Sequence, residues 1–359
     1  MEALIRAFRG KRVVVIGDVI ADEFVYGRVA RVSREAPVLI LEYDSTEIVP
    51  GGAGNAANNI AALGGQVALV AALGRDDAGK RVVAALHRRV DSRLLVRRSD
   101  TTTAVKTRIL AGGVHSAKQQ IVRIDRAVPR AVNPRVRQAI EKAALSAVSQ
   151  ADAVLVSDYG SGIVTPALVR RMSSQLRRDG HPIPILVDSR YNLLEYTGLT
   201  MSTPNESEVE QALGVRIGDD LRALEHAGRD MLKRTNMQAV LVTRGSRGMA
   251  LFIAGSRTVH IPISGTEFIV DVTGAGDTVV ATVTLALAAG GTFEAAARLA
   301  NYAGGMVVMK RGTATVSADE LRASVRPARR GRPSASAKAS ADHRSAKRGG
   351  RSGRPNIDG

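Results

Sequence analysis

The chain has 359 residues, 45% apolar and only 3% aromatic, with no Trp and no Cys. That is enough apolar material for one large or two small domains with a Val/Ala/Leu/Ile core, and it rules out disulfides, thiolate metal sites and a Cys nucleophile. The formal charge of +17 is uneven: residues 326–359 hold ten Lys/Arg and two Asp, a net +8, which leaves +9 for the other 325 residues.

No run reaches about 18 apolar residues, so no transmembrane helix and no membrane partner are expected. The opening "MEALIRAFRGKR" lacks the apolar core of a secretory signal, so a cytoplasmic protein is expected.

From residue 12 onward, short apolar runs alternate with helical patterns. "RVVVIGD" (12–18), "QVALVAALG" (66–74), "ADAVLVSDYG" (151–160), "IPILVD" (183–188) and "AVLVTRG" (239–245) are continuous apolar stretches ending in Gly or an acid. Such runs predict buried parallel strands. Helices are predicted at 53–63, 77–90, 134–149, 166–178, 221–234 and 277–289. The alternation predicts an α/β fold: a doubly wound, mostly parallel sheet with helices on both faces and ligands at the carboxyl ends of the strands. A dehydrogenase of the dinucleotide-binding type is disfavoured, because no Gly-x-Gly-x-x-Gly follows the first strand.

Two segments break the alternation: "PVLILEYDSTEIV" (37–49) and "TTTAVKTRILAGGVHSAKQQIVRID" (101–125). Both read as antiparallel hairpin material. They predict a small β-sheet lid, about 19–49 and 101–125, which is also the expected surface of a homodimer. The folded body is expected to end near residue 325. The tail "RPARRGRPSASAKASADHRSAKRGGRSGRPNIDG" is too poor in apolar residues to fold and is expected to be disordered. It is either a solubilising appendage or an arm for nucleic acid or another acidic partner.

Two stretches carry chemistry. In "DVTGAGDTVV" (271–280), Thr273–Gly276 turns the chain tightly before a helix whose free N–H groups and dipole attract an anion. Asp277 is then placed to accept a proton from a hydroxyl attacking a phosphoryl group, or it is simply the helix N-cap. In "GGAGNAANNIAALGGQVALVAALG" (51–74) the glycines admit close backbone approach, and Asn55 offers a donor and an acceptor suited to a polyol. Alternatively, this is a Gly-rich loop leading into a tightly packed helix.

Seven stretches occur in one order: "GDVIADEFVYG" (17–27), "SREAPV" (33–38), "QQIVRID" (119–125), "LVSDYGSG" (155–162), "TPNESE" (203–208), "LVTRGSRGM" (241–249) and "DVTGAGDTV" (271–279). With the 51–74 and 271–277 signatures, they make residues 12–321 resemble the PfkB/ribokinase family of sugar kinases. Within it the likeness is to the branch acting on D-glycero-β-D-manno-heptose 7-phosphate.

The resemblance implies a ribokinase-like fold, ATP and Mg²⁺ as cofactors, and a sugar or sugar phosphate as substrate. It implies Asp277 as catalytic base, with Gly274, Ala275 and Gly276 as the anion hole. It implies Asn205 and Glu208 positioning Mg²⁺ through water, although an ordinary loop-to-helix cap remains the alternative. Thr243, Gly245 and Gly248 would line the nucleotide site and Asn301 would lie near adenine. Asp18, Gly51, Gly52 and Asn55 would bind sugar hydroxyls. Lys106 and Arg123, with Arg108 nearby, would meet the sugar's phosphate, unless they are merely solvated lid cations.

There are departures. The pattern Asp-Tyr-x-Lys-Gly reads Asp158-Tyr159-Gly160-Ser161-Gly162, Asp-Pro-Lys reads Asp188-Ser189-Arg190, and Thr282 stands where a small residue is expected. None of the histidines (87, 115, 181, 226, 260, 343) forms the His-x-Gly-His of a nucleotidyltransferase, so adenylylation is not expected. Other readings are a ribose, fructose or fructose-phosphate kinase, and a non-catalytic nucleic-acid-binding or regulatory protein using the tail.

Overall fold

In the computed structural model, residues 1–112, 118–126, 132–264 and 270–326 are described. The strands are β1 (Arg12–Gly17), β2 (Val19–Val32), β3 (Leu39–Gly52), β4 (Gln66–Val70), β5 (Ala72–Gly74), β6 (Val90–Asp91), β7 (Val96–Arg98) and β8 (Ala104–Gly112). They continue as β9 (Gln119–Arg126), β10 (Ala153–Asp158), β11 (Ile185–Ser189), β12 (Met201–Ser202), β13 (Ala239–Thr243), β14 (Met249–Ile253) and β15 (Val259–Ile261). The helices are α1 (Glu2–Arg6), α2 (Ala53–Ala62), α3 (Asp77–Ala84), α4 (Pro134–Val148), α5 (Pro166–Arg178), α6 (Glu206–Leu213), α7 (Leu221–Thr235), α8 (Ala275–Ala288), α9 (Phe293–Val307) and α10 (Ala318–Ser324).

Nine strands form the main sheet in the order β15-β14-β13-β12-β11-β10-β1-β4-β6. All neighbours are parallel except the pairs β13/β14 and β14/β15. Alternate side chains of a strand face opposite sides. Val13 and Val15 of β1 therefore enter one core with α2, α8 and α9, while Val14 and Ile16 enter the other with α4, α5 and α7. Helix α8 is buried nearly all round, which explains why its sequence is mostly apolar, with Thr282 and Thr284 bonded back to carbonyls of their own helix. Helices α4 and α5 begin where the sequence signals it, with Asn133 and Thr165 capping and proline next.

The expected doubly wound architecture is present, and so is the small second sheet, ordered β3-β2-β8-β9. Its pairing differs from a simple reading of 37–49 as a hairpin. β3 is antiparallel to the long strand β2, and β2 is parallel to β8, whose antiparallel partner is β9.

Two boundaries also move. The run 66–74 splits at Ala71: β4 pairs with β1 and β6, whereas β5 leaves the sheet to pair with β7. The helix expected over 77–90 stops at Ala84. Asn58 accepts the His87 N–H at 2.8 Å and donates to the Ala85 carbonyl, and Val90 pairs with Val67 instead.

Met1–Val325 forms one compact unit. The expected disordered tail lies outside the described residues apart from Arg326. Among the described residues, no helix is long and apolar enough to cross a membrane.

Candidate active site

The carboxyl ends of β1, β10, β11 and β13 share one edge of the parallel sheet, so Asp18, Tyr159, Asp188 and Thr243 gather there. Helix α8 starts above that edge. Asp271 shapes its entrance by accepting N–H bonds from Thr273 (2.9 Å) and Gly312 (3.0 Å). Gly274 then takes the left-handed conformation (φ 77°), and a Cβ there would lie 2.5 Å from the Asn55 amide. The N–H of Ala275 donates back to Val272 O at 3.2 Å, so this member of the expected anion hole is already engaged. Among the described residues, the N–H groups of Gly274 and Gly276 meet no backbone acceptor, and nothing lies within 4 Å of where a Gly276 Cβ would stand.

Asp277 is the third residue of α8 and makes no cap, which removes the N-cap alternative. Its Oδ2 accepts Asn55 Nδ2 at 2.8 Å, and its Oδ1 accepts the Tyr159 hydroxyl at 3.1 Å. The residue is 5% exposed. Burial pushes its carboxyl up from the usual 3.8 to about 7; the Asn55 and Tyr159 bonds pull it down, Asp22 pushes it up and Lys106 pulls it down. A polar ladder supports the arrangement: Asn59 Nδ2 donates to Asn55 O and Oδ1, and the Thr278 hydroxyl donates to Asn59 Oδ1 at 3.1 Å. Thr282 is absorbed inside α8 by bonding to the Thr278 carbonyl at 2.8 Å.

Asn55 thus reaches Asp277, and it is not among the residues lining the cavity described below. Gly51 and Gly52 serve close packing. A Cβ on Gly51 would strike the Asp22 carboxylate, and one on Gly52 (φ 55°) would sit 2.4 Å from Asp18 O and 3.3 Å from the Tyr159 ring. Asp18 is also engaged. It accepts the N–H groups of Tyr159 (2.8 Å) and Ser161 (3.2 Å), together with the Ser161 hydroxyl. Burial still holds its carboxyl above the ordinary range against those three donors. Ser161, standing where a lysine was expected, therefore clamps the 159–161 loop to β1.

A cavity of about 410 Å³ opens beside this loop, lined by Asp18, Tyr159 and Ser161 and by the cations Lys106, Arg123 and Arg190. Lys106 is half-buried, its ammonium 5.0 Å above the Tyr159 ring centroid. Burial lowers its pKa, and the charge of Asp22 opposes that shift. Arg123 stands exposed at the rim, paired with Asp125 at 2.9 Å. Arg108 is taken up in a buried pair with Asp22 at 2.5 Å.

On the other side, Asn205 bridges to Thr243, joining two stretches of the expected nucleotide site. Asn205 and Glu208 form a capping box on α6, with reciprocal bonds of 2.9 Å, so the cap reading of this pair holds as geometry. Burial raises the Glu208 carboxyl, while the Asn205 N–H and Arg190 lower it. Asp188 is pushed well up by burial first and by the charge of Glu208 next, then by Asp277. Among the described residues, no group of three or more His, Cys, Asp or Glu could hold a metal unaided. Gly248 is a packing glycine whose Cβ would meet Ile261 O at 2.2 Å, whereas Gly245 (φ 56°) faces open space. Asn301 Nδ2 is tied to the Pro262 carbonyl at 2.8 Å.

The sequence reading gave no role to Tyr159, to Arg190 in the cavity wall, or to Asp158. The last is a buried hub: its Oδ2 accepts the hydroxyls of Ser189 and Tyr196, both at 2.9 Å, and its Oδ1 accepts the Gly160 N–H at 2.9 Å. The quoted "SDYGSG" was the available signal.

Comparison with known proteins bears on this geometry. The model of the pfkB family of carbohydrate kinases matches residues 11–320. A Caulobacter sp. (strain K31) protein named bifunctional protein HldE is 42% identical over 318 residues, 88% of this chain and 63% of that one. The Geobacter sulfurreducens protein of the same name is 40% identical over 86% of this chain and 61% of its own length. The chain thus spans under two thirds of the curated relatives it matches. In fold it is similar to Arabidopsis thaliana ribokinase solved with ribose and ATP (TM-score 0.67, 20% identity, 88% and 98% of the two chains). It is likewise similar to Escherichia coli phosphofructokinase-2 solved with potassium (TM-score 0.69, 19% identity, 88% and 97%).

Proposed function

The chain belongs to the pfkB family of carbohydrate kinases and is an ATP-dependent sugar kinase, and we propose that its acceptor is D-glycero-β-D-manno-heptose 7-phosphate, phosphorylated at O1 to the 1,7-bisphosphate. The relatives at about 40% identity support this reading, as do the cations facing the cavity, which suit an acceptor that already carries a phosphate. This step would serve the synthesis of an ADP-heptose.

The observation that carries the reaction type is Asp277: a carboxylate in the first turn of α8, poised near neutrality, beside the open amides of Gly274 and Gly276. In the reaction Asp277 accepts the proton of the attacking O1 hydroxyl, an anomeric hydroxyl more acidic than an ordinary alcohol. The amides of Gly274 and Gly276 and the α8 dipole stabilise the charge that grows on the transferring phosphoryl group. Lys106, Arg123 and Arg190 hold the phosphate the acceptor brings.

ATP would lie along Thr243, Gly245, Gly248 and Asn301. The acids Asp188 and Glu208, which repel each other at this edge, are hard oxygen donors of the kind Mg²⁺ takes largely through water, and Asn205 would fix Glu208. When bound, Mg²⁺ supplies positive charge to the phosphate oxygens.

We further place a homodimer contact on the lid, supported by Ile121, Val122 and Ile124 of β9, each close to half exposed. Coupled measurement of ADP release with heptose 7-phosphate, ribose, fructose and fructose 6-phosphate tests the substrate. Turnover confined to unphosphorylated sugars overturns the heptose assignment.

A further inference from the structure

Asp277 does not line the 410 Å³ cavity; Tyr159 does, and its hydroxyl bonds to Asp277 from that side. One oxygen of the base is covered by Asn55 and the other by the phenol, which leaves the residue 5% exposed. The phenol donates an O–H bond to Oδ1, the same kind of bond an acceptor hydroxyl must make before it can lose its proton. Tyr159 therefore holds the acceptor's place.

The surroundings favour a side-chain swing over a loop movement. The backbone on either side of the ring is fixed, since Asp18 binds the N–H groups of Tyr159 and Ser161 and the Ser161 hydroxyl, and Asp158 binds the Gly160 N–H. By contrast, the ring is held by one hydrogen bond, by the Lys106 ammonium and by packing against the side-chain-free Gly52, none of them a bond of the sheet.

We propose that Tyr159 is a positioning residue that screens Asp277 whenever no acceptor is bound, and that the acceptor hydroxyl displaces its phenol to reach the base. The inference rests on the reading of Asp277 as the base. The acceptor gains its bond to Oδ1 only with the ring aside, and that difference is what shifts the equilibrium. The screen also has a purpose. Without it, water at Oδ1 could attack the γ-phosphorus of ATP, pass its proton to Asp277 and release ADP unproductively.

Two variants test this, with Asp277→Asn run beside them. The acid limb of kcat/KM reports the free enzyme and that of kcat the enzyme–substrate complex. Tyr159→Phe keeps the ring but removes a donor to the ionised base. Its kcat/KM limb is expected to move about one pH unit upward, the worth of a bond to a charged group, while the kcat limb stays in place. Tyr159→Ala is expected to raise sugar-independent ATP hydrolysis about tenfold (an order-of-magnitude figure for admitting water to a general base), a readout that needs no knowledge of the sugar.

Limbs that move together, or not at all, show a phenol that is never displaced and overturn the proposal. So does an alanine variant that folds yet hydrolyses ATP no faster than wild type. If the alanine variant does not fold, the near-isosteric phenylalanine variant decides alone. Near-wild-type turnover by Asp277→Asn overturns the base assignment itself, an outcome distinct from failure of the screen.

Discussion

Asn55 and Asp277 are 222 positions apart in the chain, and their side chains meet at 2.8 Å. The amide of α2 thus donates to the acid of α8, joining the two glycine-rich signatures in one buried contact and favouring the ionised carboxylate. Asn55→Asp would put two buried acids at that distance, where both cannot ionise at once. The variant should fold, because Asp is nearly isosteric with Asn. Its kcat/KM at pH 7 should fall at least tenfold, with the acid limb displaced above the wild-type position. An unchanged pH profile would show that Asn55 does not tune the Asp277 carboxyl.

The carboxyl of Asp277, raised to about 7 by burial, makes activity and stability run oppositely with pH. Only the ionised form accepts a proton, so kcat/KM should climb roughly tenfold per pH unit below about 7 and then level off. For stability the sign is reversed. A folded value above the unfolded 3.8 means that the stabilising contribution is whole below about 3.8 and is lost as pH rises through about 7. Asp277→Asn removes the titration and should lower kcat by about 10²–10⁴-fold while leaving nucleotide affinity nearly unchanged. Its unfolding free energy relative to wild type should also grow with pH between 4 and 7, by on the order of 4 kcal/mol at most. Denaturant melts of both proteins at pH 4.5 and 7.5 check this.

Gly274 faces two constraints at one point. Its φ of 77° disfavours any L side chain, and a Cβ would overlap the Asn55 amide at 2.5 Å. Gly274→Ala should therefore destabilise the fold by roughly 1–3 kcal/mol, through backbone strain together with displacement of Asn55. It should also reduce kcat more than it weakens ATP binding. Gly276→Ala, whose Cβ would meet nothing within 4 Å, is the control and should melt close to wild type.

Which features could be read from the sequence follows from how local their causes are. β1, β10 and β13 announce themselves because strands covered on both faces must be apolar throughout. α4 and α5 do so because Asn133 or Thr165 caps the start and a proline follows. α9 was overlooked because Gly304 and Gly305 interrupt its pattern. Both are small for reasons far away in sequence: a Cβ on Gly304 would press Val279 of α8 at 3.2 Å, and one on Gly305 would overlap Ser264 O. The same holds in the site. Asp277 and its glycines form one contiguous signal, but the Tyr159 hydroxyl arrives from 118 positions away, and no spacing rule could pair them. Arg108, a lid cation like Lys106 in the sequence, is neutralised by Asp22 across the β2/β8 pairing, whereas Lys106 is left facing the cavity.

Lys106 is where substrate choice can be tested apart from chemistry. Its ammonium lines the cavity, half-buried beside Arg190, and that like charge helps to lower its pKa after the larger effect of burial. A dianionic phosphate between the two cations would remove that repulsion and restore the lysine's affinity for its proton, so binding of a phosphorylated sugar and protonation of Lys106 reinforce each other. Lys106→Met keeps the aliphatic bulk over the Tyr159 ring and removes only the charge. It should raise KM for heptose 7-phosphate by about 10–100-fold, the range for losing one charge-assisted bond in a partly buried site, with kcat within a few-fold of wild type. KM for an unphosphorylated sugar on the same enzyme should barely change. A variant that lost kcat equally with both kinds of acceptor would place Lys106 at the transferring phosphoryl group, and the sugar's own phosphate would then have to be sought beside Arg123 and Arg126 at the outer rim of the cavity.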